Sequence, residues 1–168
     1  MGPQENNRTA ELRELIQRTF PAETYSGRIT SYDDRLDDPG LDEEKDLYEA
    51  LKGRRWTEIR QQILDSKPDG YVRLTNEAFA AFIAAWLTRS LDDINGENEV
   101  RDFVVYTFSP KHDMVPDTTA STVRQLRAMS PEQRSTLRSL LTEFAKRASS
   151  AFQRRLASEA VALINSIG

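Results

Sequence analysis

Apolar residues recur every three or four positions over most of the chain, which is the spacing of one face of an α-helix. The clearest example follows Thr75, a residue type that caps helices through its hydroxyl. The apolar face of this segment is wide, and the alanines between its members favour a helix. Its members are Phe79, Phe82, Ile83, Trp86 and Leu87. The pattern predicts the central helix of the core.

Three shorter helical patterns precede this segment. The first covers residues 9–20 and ends there because Pro21 follows. The second covers residues 42–52 and ends at Gly53, which suits a left-handed C-cap. The third is short, and its apolar positions are Trp56, Ile59, Ile63 and Leu64. Residues 21–40 are rich in turn-forming residues and predict an irregular segment.

The longest pattern lies at the C-terminal end of the chain. Ser130, Pro131 and Gln133 have the spacing of a capping box with proline at the first helical position. Apolar residues then recur at helical spacing, at Leu137, Leu141, Phe144, Ala148, Phe152, Leu156, Ala160 and Leu163. No residue as far as Ile167 requires a break, although Ser149-Ser150 could bend the helix. We therefore expect one long C-terminal helix.

One segment, residues 99–108, has an ambiguous pattern. Its apolar positions fit a helix, but its valine, tyrosine and threonine residues are also typical of strands. We assign it to a helix, because no partner strand is visible elsewhere. Residues 109–120 contain two prolines and predict a loop. The sequence thus predicts an all-α, helical bundle-like single domain over residues 1–168, with residues 1–8 as a flexible N-terminal tail.

Composition narrows the class of protein. The chain has 168 residues, of which 38% are hydrophobic, so it can bury a substantial core. Its longest uncharged apolar run, Ala78 to Thr88, has 11 residues, whereas a membrane span needs roughly 20. The first residues, MGPQENNRTAEL, lack the apolar centre of a signal peptide. With no cysteine, disulfides and thiolate chemistry are excluded, and the cytoplasm is the simplest expected location.

The net charge of -4 conceals an uneven distribution of charge along the chain. Residues 31–46 carry eight acidic and two basic residues, whereas residues 124–155 carry eight basic and two acidic residues. Such a distribution can produce a strong local field although the total charge is small. The acidic stretch, SYDDRLDDPGLDEEKD, is therefore the first candidate for a functional surface.

Metal and catalytic sites find little support in the sequence. Neither the acidic stretch nor the turn at residues 92–96 has ligands at the spacing of a calcium loop. The single histidine, His112, has Asp113 beside it, but a neighbour in sequence does not orient an imidazole. Adjacent carboxylates such as Asp37 and Asp38 diverge on regular elements. We expect no catalytic residue, no metal and no cofactor.

Nucleic acid is also an unfavoured partner. The arginines of the C-terminal pattern alternate with apolar residues, as they would on the solvent side of an amphipathic helix. The chain as a whole is acidic, whereas nucleic-acid-binding domains usually have a high isoelectric point. We expect neither nucleic acid nor a membrane as a partner.

Several motifs occur together in one order. They are Phe20-Pro21, Glu43-Glu44, Gly53 with Trp56 and Ile59, LTNEAFAAFIAAWL, Ser109-Pro110 and MSPEQRSTLRSLLTEF. Over about residues 9 to 147 the chain resembles an uncharacterised bacterial domain family of small helical proteins. It departs from the family where Ala84 or Ala85 replaces an expected proline, so a straighter helix is expected. The resemblance implies no activity and supplies no catalytic residue.

These features lead to a hypothesis of a non-enzymatic, cytoplasmic bacterial immunity protein that neutralises a cognate toxin with a basic surface. The acidic stretch would steer towards the toxin and cover its basic cleft. The expected contacts are Asp33, Asp34, Asp37, Asp38, Glu43 and Glu44, with Tyr48 and Trp56 as buried anchors. Taken by itself, the pattern around Trp56 favours a core position over an interface anchor. Other readings are a small hydrolase or transferase that uses Asp or Glu, and a homodimeric scaffold built through the C-terminal helix.

Overall fold

A computed structural model describes residues 3–92, 97–110 and 116–167, with side chains from residue 7 in the first segment and from residue 120 in the third. This part of the chain is all-α, as predicted, and folds into eight helices with two short 3₁₀ turns at Trp56–Glu58 and Gly70–Arg73. The helices are α1 (Pro3–Thr19), α2 (Asp42–Leu51), α3 (Gln61–Ser66), α4 (Asn76–Arg89), α5 (Glu99–Phe108), α6 (Pro116–Ala128), α7 (Pro131–Arg147) and α8 (Ala151–Ser166).

Helix α4 occupies the centre of the fold, as its apolar pattern predicted. It packs against α1, α3, α5, α6 and both 3₁₀ turns. The hydroxyl of Thr75 caps its first turn by accepting from the amide N–H of Ala78 at 3.2 Å. All five residues of the predicted apolar face are inaccessible to solvent. The pattern arises because α4 is surrounded by other helices on most of its circumference.

An aromatic cluster fills the space between α4, α5 and the second 3₁₀ turn. The ring of Tyr71 stacks on Phe108 with centroids 6.4 Å apart and meets Trp86 edge-on at 5.7 Å. The Tyr71 hydroxyl lies 3.0 Å from the Thr107 hydroxyl. Burial strongly raises the pKa of Tyr71, so this phenol stays neutral and acts as a structural group. The indole N–H of Trp86 donates to the Lys67 carbonyl at 2.9 Å.

Several predicted boundaries hold in the structure. Helix α2 ends at Leu51, and Gly53 has the positive φ of +69° expected of a C-cap glycine. Residues 99–108 form a helix, as assigned, and the side chain of Asn98 caps it by accepting from the Arg101 amide at 3.0 Å. The start of α1 differs from the prediction, because the helix begins at Pro3 and not near Thr9. The predicted boundary between residues 8 and 9 is therefore not the start of the helix. Proline suits the first helical position.

Helix α6 corrects the prediction of a loop over residues 109–120, because its helical backbone begins at Pro116. The sequence gives little sign of this helix, since polar residues occupy part of its buried side. Thr122 and Gln125 are 2% and 3% exposed, and they donate to the carbonyls of Thr107 and Tyr71 at 3.3 and 3.5 Å. A helix that buries hydrogen-bonded polar groups lacks the apolar period that a sequence pattern detects.

The long C-terminal helix is also corrected: it is an antiparallel pair, α7 and α8. The helix stops because Ala148 adopts ψ 125°, and Ser150 then caps α8 by accepting from the Gln153 amide at 3.1 Å. The Arg138 guanidinium in the middle of α7 donates to Asn165 near the end of α8 at 3.2 Å, and Pro131 at the start of α7 lines the same depression as Asn165. The break lets the apolar sides of both helices cover each other, whereas one continuous helix would leave part of that surface in water.

Candidate functional site

The acidic surface, defined here as residues 31–46, contains the loop before α2 and the first turns of that helix. Five of its carboxylates face solvent, namely those of Asp34, Asp37, Asp42, Glu43 and Asp46. The side chain of Asp34 is 78% exposed, and those of Glu43 and Asp46 are 58% and 60% exposed. The structure therefore brings together much of the acidic stretch that the sequence singled out, as an outward surface.

Asp33 differs from these residues because its carboxylate points towards the backbone. It accepts from the amides of Ile29 and Thr30, each at 2.7 Å, and from the Thr30 hydroxyl at 2.9 Å. Ile29 and Thr30 are both inaccessible to solvent. Asp33 thus closes the loop by satisfying donors that would otherwise be buried without acceptors. This predicted contact residue is a structural part of the acidic surface.

Further hydrogen bonds fix the base of the acidic surface to the start of α4. Thr30 forms an isolated antiparallel bridge with Leu74, and the Thr75 amide donates to the Ile29 carbonyl at 2.9 Å. The Thr75 hydroxyl donates to the carbonyl of Arg28 at 2.8 Å. The same threonine therefore caps the central helix and holds the loop, so the acidic surface is an ordered extension of the core.

Basic residues pair with many of these carboxylates. Arg28 lies 2.7 Å from Asp34, Arg35 lies 2.6 Å from Asp38, and Lys67 lies 3.1 Å from Asp46. In each pair at least one side chain is 60% exposed or more, so each contributes little to the free energy of unfolding. They do reduce the net field of the acidic surface and hold its side chains in place.

A further pair connects α2 to the second 3₁₀ turn. The Arg73 guanidinium bonds to Glu43, with its Nε 2.7 Å from Oε2, and also lies 3.9 Å from a carboxylate oxygen of Glu44. No ion pair involves Asp37 or Asp42 within the described part of the chain, and both are exposed. These two residues are therefore the carboxylates whose charge is least compensated by neighbours.

The two predicted aromatic anchors occupy different environments. Trp56 is only 5% exposed, and its indole N–H donates to the Phe20 carbonyl at 3.1 Å. It is a core residue, which is the reading that the sequence pattern favoured, and it offers little surface to a partner. Tyr48 is half-buried, and the ammonium group of Lys52 lies 4.4 Å from the centre of its ring.

Tyr32 is the aromatic residue that sequence reasoning missed. It is 42% exposed and lies within the acidic surface. With Glu44, Arg73, Glu77 and Arg124 it lines a polar depression of about 470 Å³. The sequence does contain a sign of this position: a tyrosine among acidic residues, outside any helical apolar period, has no predicted core to enter.

Other predicted chemical features add little to this surface. Asp92, the first residue of the segment 92–96 that was considered for calcium, forms ion pairs with Arg13 and with Arg89, the latter at 3.0 Å. His112 and Asp113 lie outside the described residues. The pKa of Glu132 is lowered because its carboxylate accepts hydrogen bonds from the backbone amide of the same residue and from Ser130, as expected of an acid in the first turn of α7. Within the ranges that the structure describes, no group of three potential metal ligands converges.

Comparisons with known proteins give no family assignment: no family model, no curated protein and no solved structure matches this chain. Of the helices described, none has both the length and the apolar character needed to cross a membrane.

Proposed function

We propose that this protein is a binding protein that presents the acidic surface to a basic macromolecular partner. In its most specific form, the proposal is a cytoplasmic immunity protein that neutralises a cognate toxin. The observation that carries it is the order of the acidic surface. Asp33 and Thr75 hold the loop to the core, while Asp34, Asp37 and Asp42 remain exposed.

Order before binding favours association. A loop that is already fixed does not lose further conformational entropy when a partner docks, so more of the interaction energy appears as affinity. The exposed carboxylates increase the rate of encounter with a positively charged surface. Toxins that act on nucleic acids or nucleotides need basic clefts for their substrates, and an ordered acidic surface suits such a cleft in charge.

Within this proposal the residues have separate roles. Asp34, Asp37, Asp42 and Glu43 supply charge to the interface. Tyr32 supplies an exposed aromatic side chain near the polar depression, and aromatic residues surrounded by polar ones often dominate binding energy. Asp33 orders the surface and makes no contact of its own with the partner.

A matched pair of charge reversals tests the proposal. Asp37→Lys with Asp42→Lys reverses two carboxylates that lack an ion pair in the described structure. Glu14→Lys with Glu97→Lys changes the net charge equally at exposed sites outside the acidic surface. A partner captured from a lysate of the source cells is identified, purified and mixed with each variant in a stopped-flow instrument.

We expect the Asp37 and Asp42 reversals to lower the association rate by about tenfold at low ionic strength, and the difference to shrink as salt is added. Equal rates for the two double variants would show that the acidic surface does not guide binding. The toxin assignment requires that the captured partner stops growth when expressed alone and that co-expression of this chain restores it. Normal growth with the partner alone would refute that assignment.

A further inference from the structure

A second surface, here called the apolar groove, lies between α5, the end of α7 and the start of α8. Its volume is about 430 Å³, within the range of roughly 300–1,000 Å³ usual for small-molecule sites. It exists because the chain breaks after Arg147 and turns back at Ser150. None of its lining residues belongs to the acidic surface.

The wall of the apolar groove is formed mainly by hydrophobic side chains. Val105, Phe144 and Leu156 are nearly inaccessible at its base. Tyr106 and Phe152 line it as well, although they are 44% and 51% exposed. Three large hydrophobic residues are exposed in the part of the chain with described side chains, and two of them meet here. Two partly exposed aromatic side chains in one groove make it a candidate binding site.

The charged lining of the apolar groove is predominantly basic. Arg101 and Arg147 line it with side chains only 15% and 9% exposed, whereas Asp102 is the one carboxylate among the lining residues. Arg147 is held by Glu143 at 2.7 Å, and Arg101 by Asp102 at 3.0 Å. Guanidinium groups that are fixed and shielded from water suit the recognition of carboxylate or phosphate groups. Ser150 and Gln153 at the N-terminus of α8 also line the groove, and a helix N-terminus carries a partial positive charge.

We propose that the apolar groove binds a small amphiphilic anion. The apolar part of this ligand lies on Val105 and Leu156 between the rings of Tyr106 and Phe152. Its acidic headgroup lies beside Arg101, on the basic side of the groove. A small molecule agrees with the volume of the groove and with its combination of hydrophobic walls and a few polar groups. This inference is independent of the function proposed for the acidic surface.

The test uses dodecanoate as the probe, added to the full chain below its micelle concentration. Dodecyltrimethylammonium, with the same tail and a positive headgroup, and acetate, with the headgroup alone, are the comparison ligands. Binding is followed by isothermal titration calorimetry and by amide shifts in two-dimensional NMR spectra. We expect saturable binding of dodecanoate at one site, with the largest shifts at α5 and the start of α8, and much weaker binding of the other two ligands.

Variants separate the apolar and the charged contributions. Phe152→Ser removes an exposed ring and is expected to weaken dodecanoate binding by about tenfold. Tyr32→Ser removes a comparably exposed ring from the acidic surface and is expected to leave that affinity unchanged. Arg101→Gln is expected to reduce the preference for dodecanoate over dodecyltrimethylammonium. Thermal unfolding curves identify any variant that has lost its fold, and the Phe152 and Arg101 variants report independently.

Three results would overturn the inference. They are equal affinity for the anionic and cationic ligands, largest shifts outside the apolar groove, and an unchanged affinity in Phe152→Ser. A concentration-dependent dimer that buries Tyr106 and Phe152 without added ligand would also overturn it, because a second chain would then occupy the groove. The last possibility is checked by analytical ultracentrifugation of the wild-type chain and of Phe152→Ser.

Discussion

The acidic surface and the apolar groove are built on opposite principles. The acidic surface is mostly a loop, and it is ordered by the hydrogen bonds that the Asp33 carboxylate accepts and by the one that the Thr75 hydroxyl donates. The apolar groove lies between three helices, and its shape follows from the turn between α7 and α8. Charge dominates the first surface, although neighbouring basic residues compensate much of it. Hydrophobic area dominates the second, with two arginines at its edge.

This difference separates two contributions to binding. Exposed charges act over a distance and mainly change the association rate, whereas buried apolar contacts mainly lower the dissociation rate. It also explains why the sequence alone indicates the acidic surface and gives no sign of the apolar groove. A run of carboxylates is visible in any sequence, but a groove requires that residues as distant as Tyr106 and Phe152 meet.

The largest expected effect is on the free energy of unfolding, and it distinguishes the buried Trp56 from the exposed Tyr32. Trp56→Ala should lower the free energy of unfolding by about 3–5 kcal/mol, because it removes a buried indole and its hydrogen bond to Phe20. Chemical denaturation monitored by circular dichroism measures the change. Tyr32→Ala is the control and should change stability by less than about 0.5 kcal/mol, as expected for an exposed residue. Similar losses in both variants would contradict the separation of core and surface.

A smaller effect tests the framework of the acidic surface. Asp33→Ala should lower the free energy of unfolding by about 2–4 kcal/mol, because the buried amides of Ile29 and Thr30 lose their acceptor. Amide hydrogen exchange should accelerate at those two residues and remain unchanged around the apolar groove. Asp37→Ala removes the same charge from an exposed side chain that forms no ion pair with the described residues, and it should be nearly neutral. If Asp33→Ala were equally neutral, its proposed structural role would be wrong.

The smallest effect tests the framework of the apolar groove. Ser150→Ala should cost about 1 kcal/mol, because the amide of Gln153 at the start of α8 loses its capping oxygen. Hydrogen exchange should rise in the first turn of α8, while the acidic surface keeps its protection. Ser149→Ala is the matched control, since that serine does not cap the helix. A greater loss of stability in the Ser149 variant would reverse the assignment of the cap.

Local sequence signals predicted much of the fold. Thr75 and Ser130 marked the starts of α4 and α7 correctly, because helix caps act over three residues and need no distant partner. Helix α6 was missed since Thr122 and Gln125 are buried by hydrogen bonds that only the assembled fold supplies. The break after Arg147 was missed for a similar reason. The apolar period continues through it, and the gain from folding back depends on packing between α7 and α8.

The candidate sites show the same limit. The sequence located the acidic stretch, but it could not distinguish Asp33, which faces the backbone, from Asp34, which faces solvent. Successive carboxylates have the same chemistry, and only the path of the loop separates their roles. The sequence also offered the buried Trp56 as a candidate contact and gave Tyr32 no role, because burial of an aromatic residue depends on contacts with distant parts of the chain.

The ion pairs within the acidic surface have a consequence for selectivity. In the proposed function, a cationic partner would find Arg28 and Arg73 already bonded to Asp34 and Glu43, so docking would exchange one set of counter-charges for another. A weakly basic protein would gain almost no free energy from that exchange and would bind weakly. A cognate surface whose cations match the whole arrangement replaces several resident pairs at once, so discrimination increases with the number of matched positions.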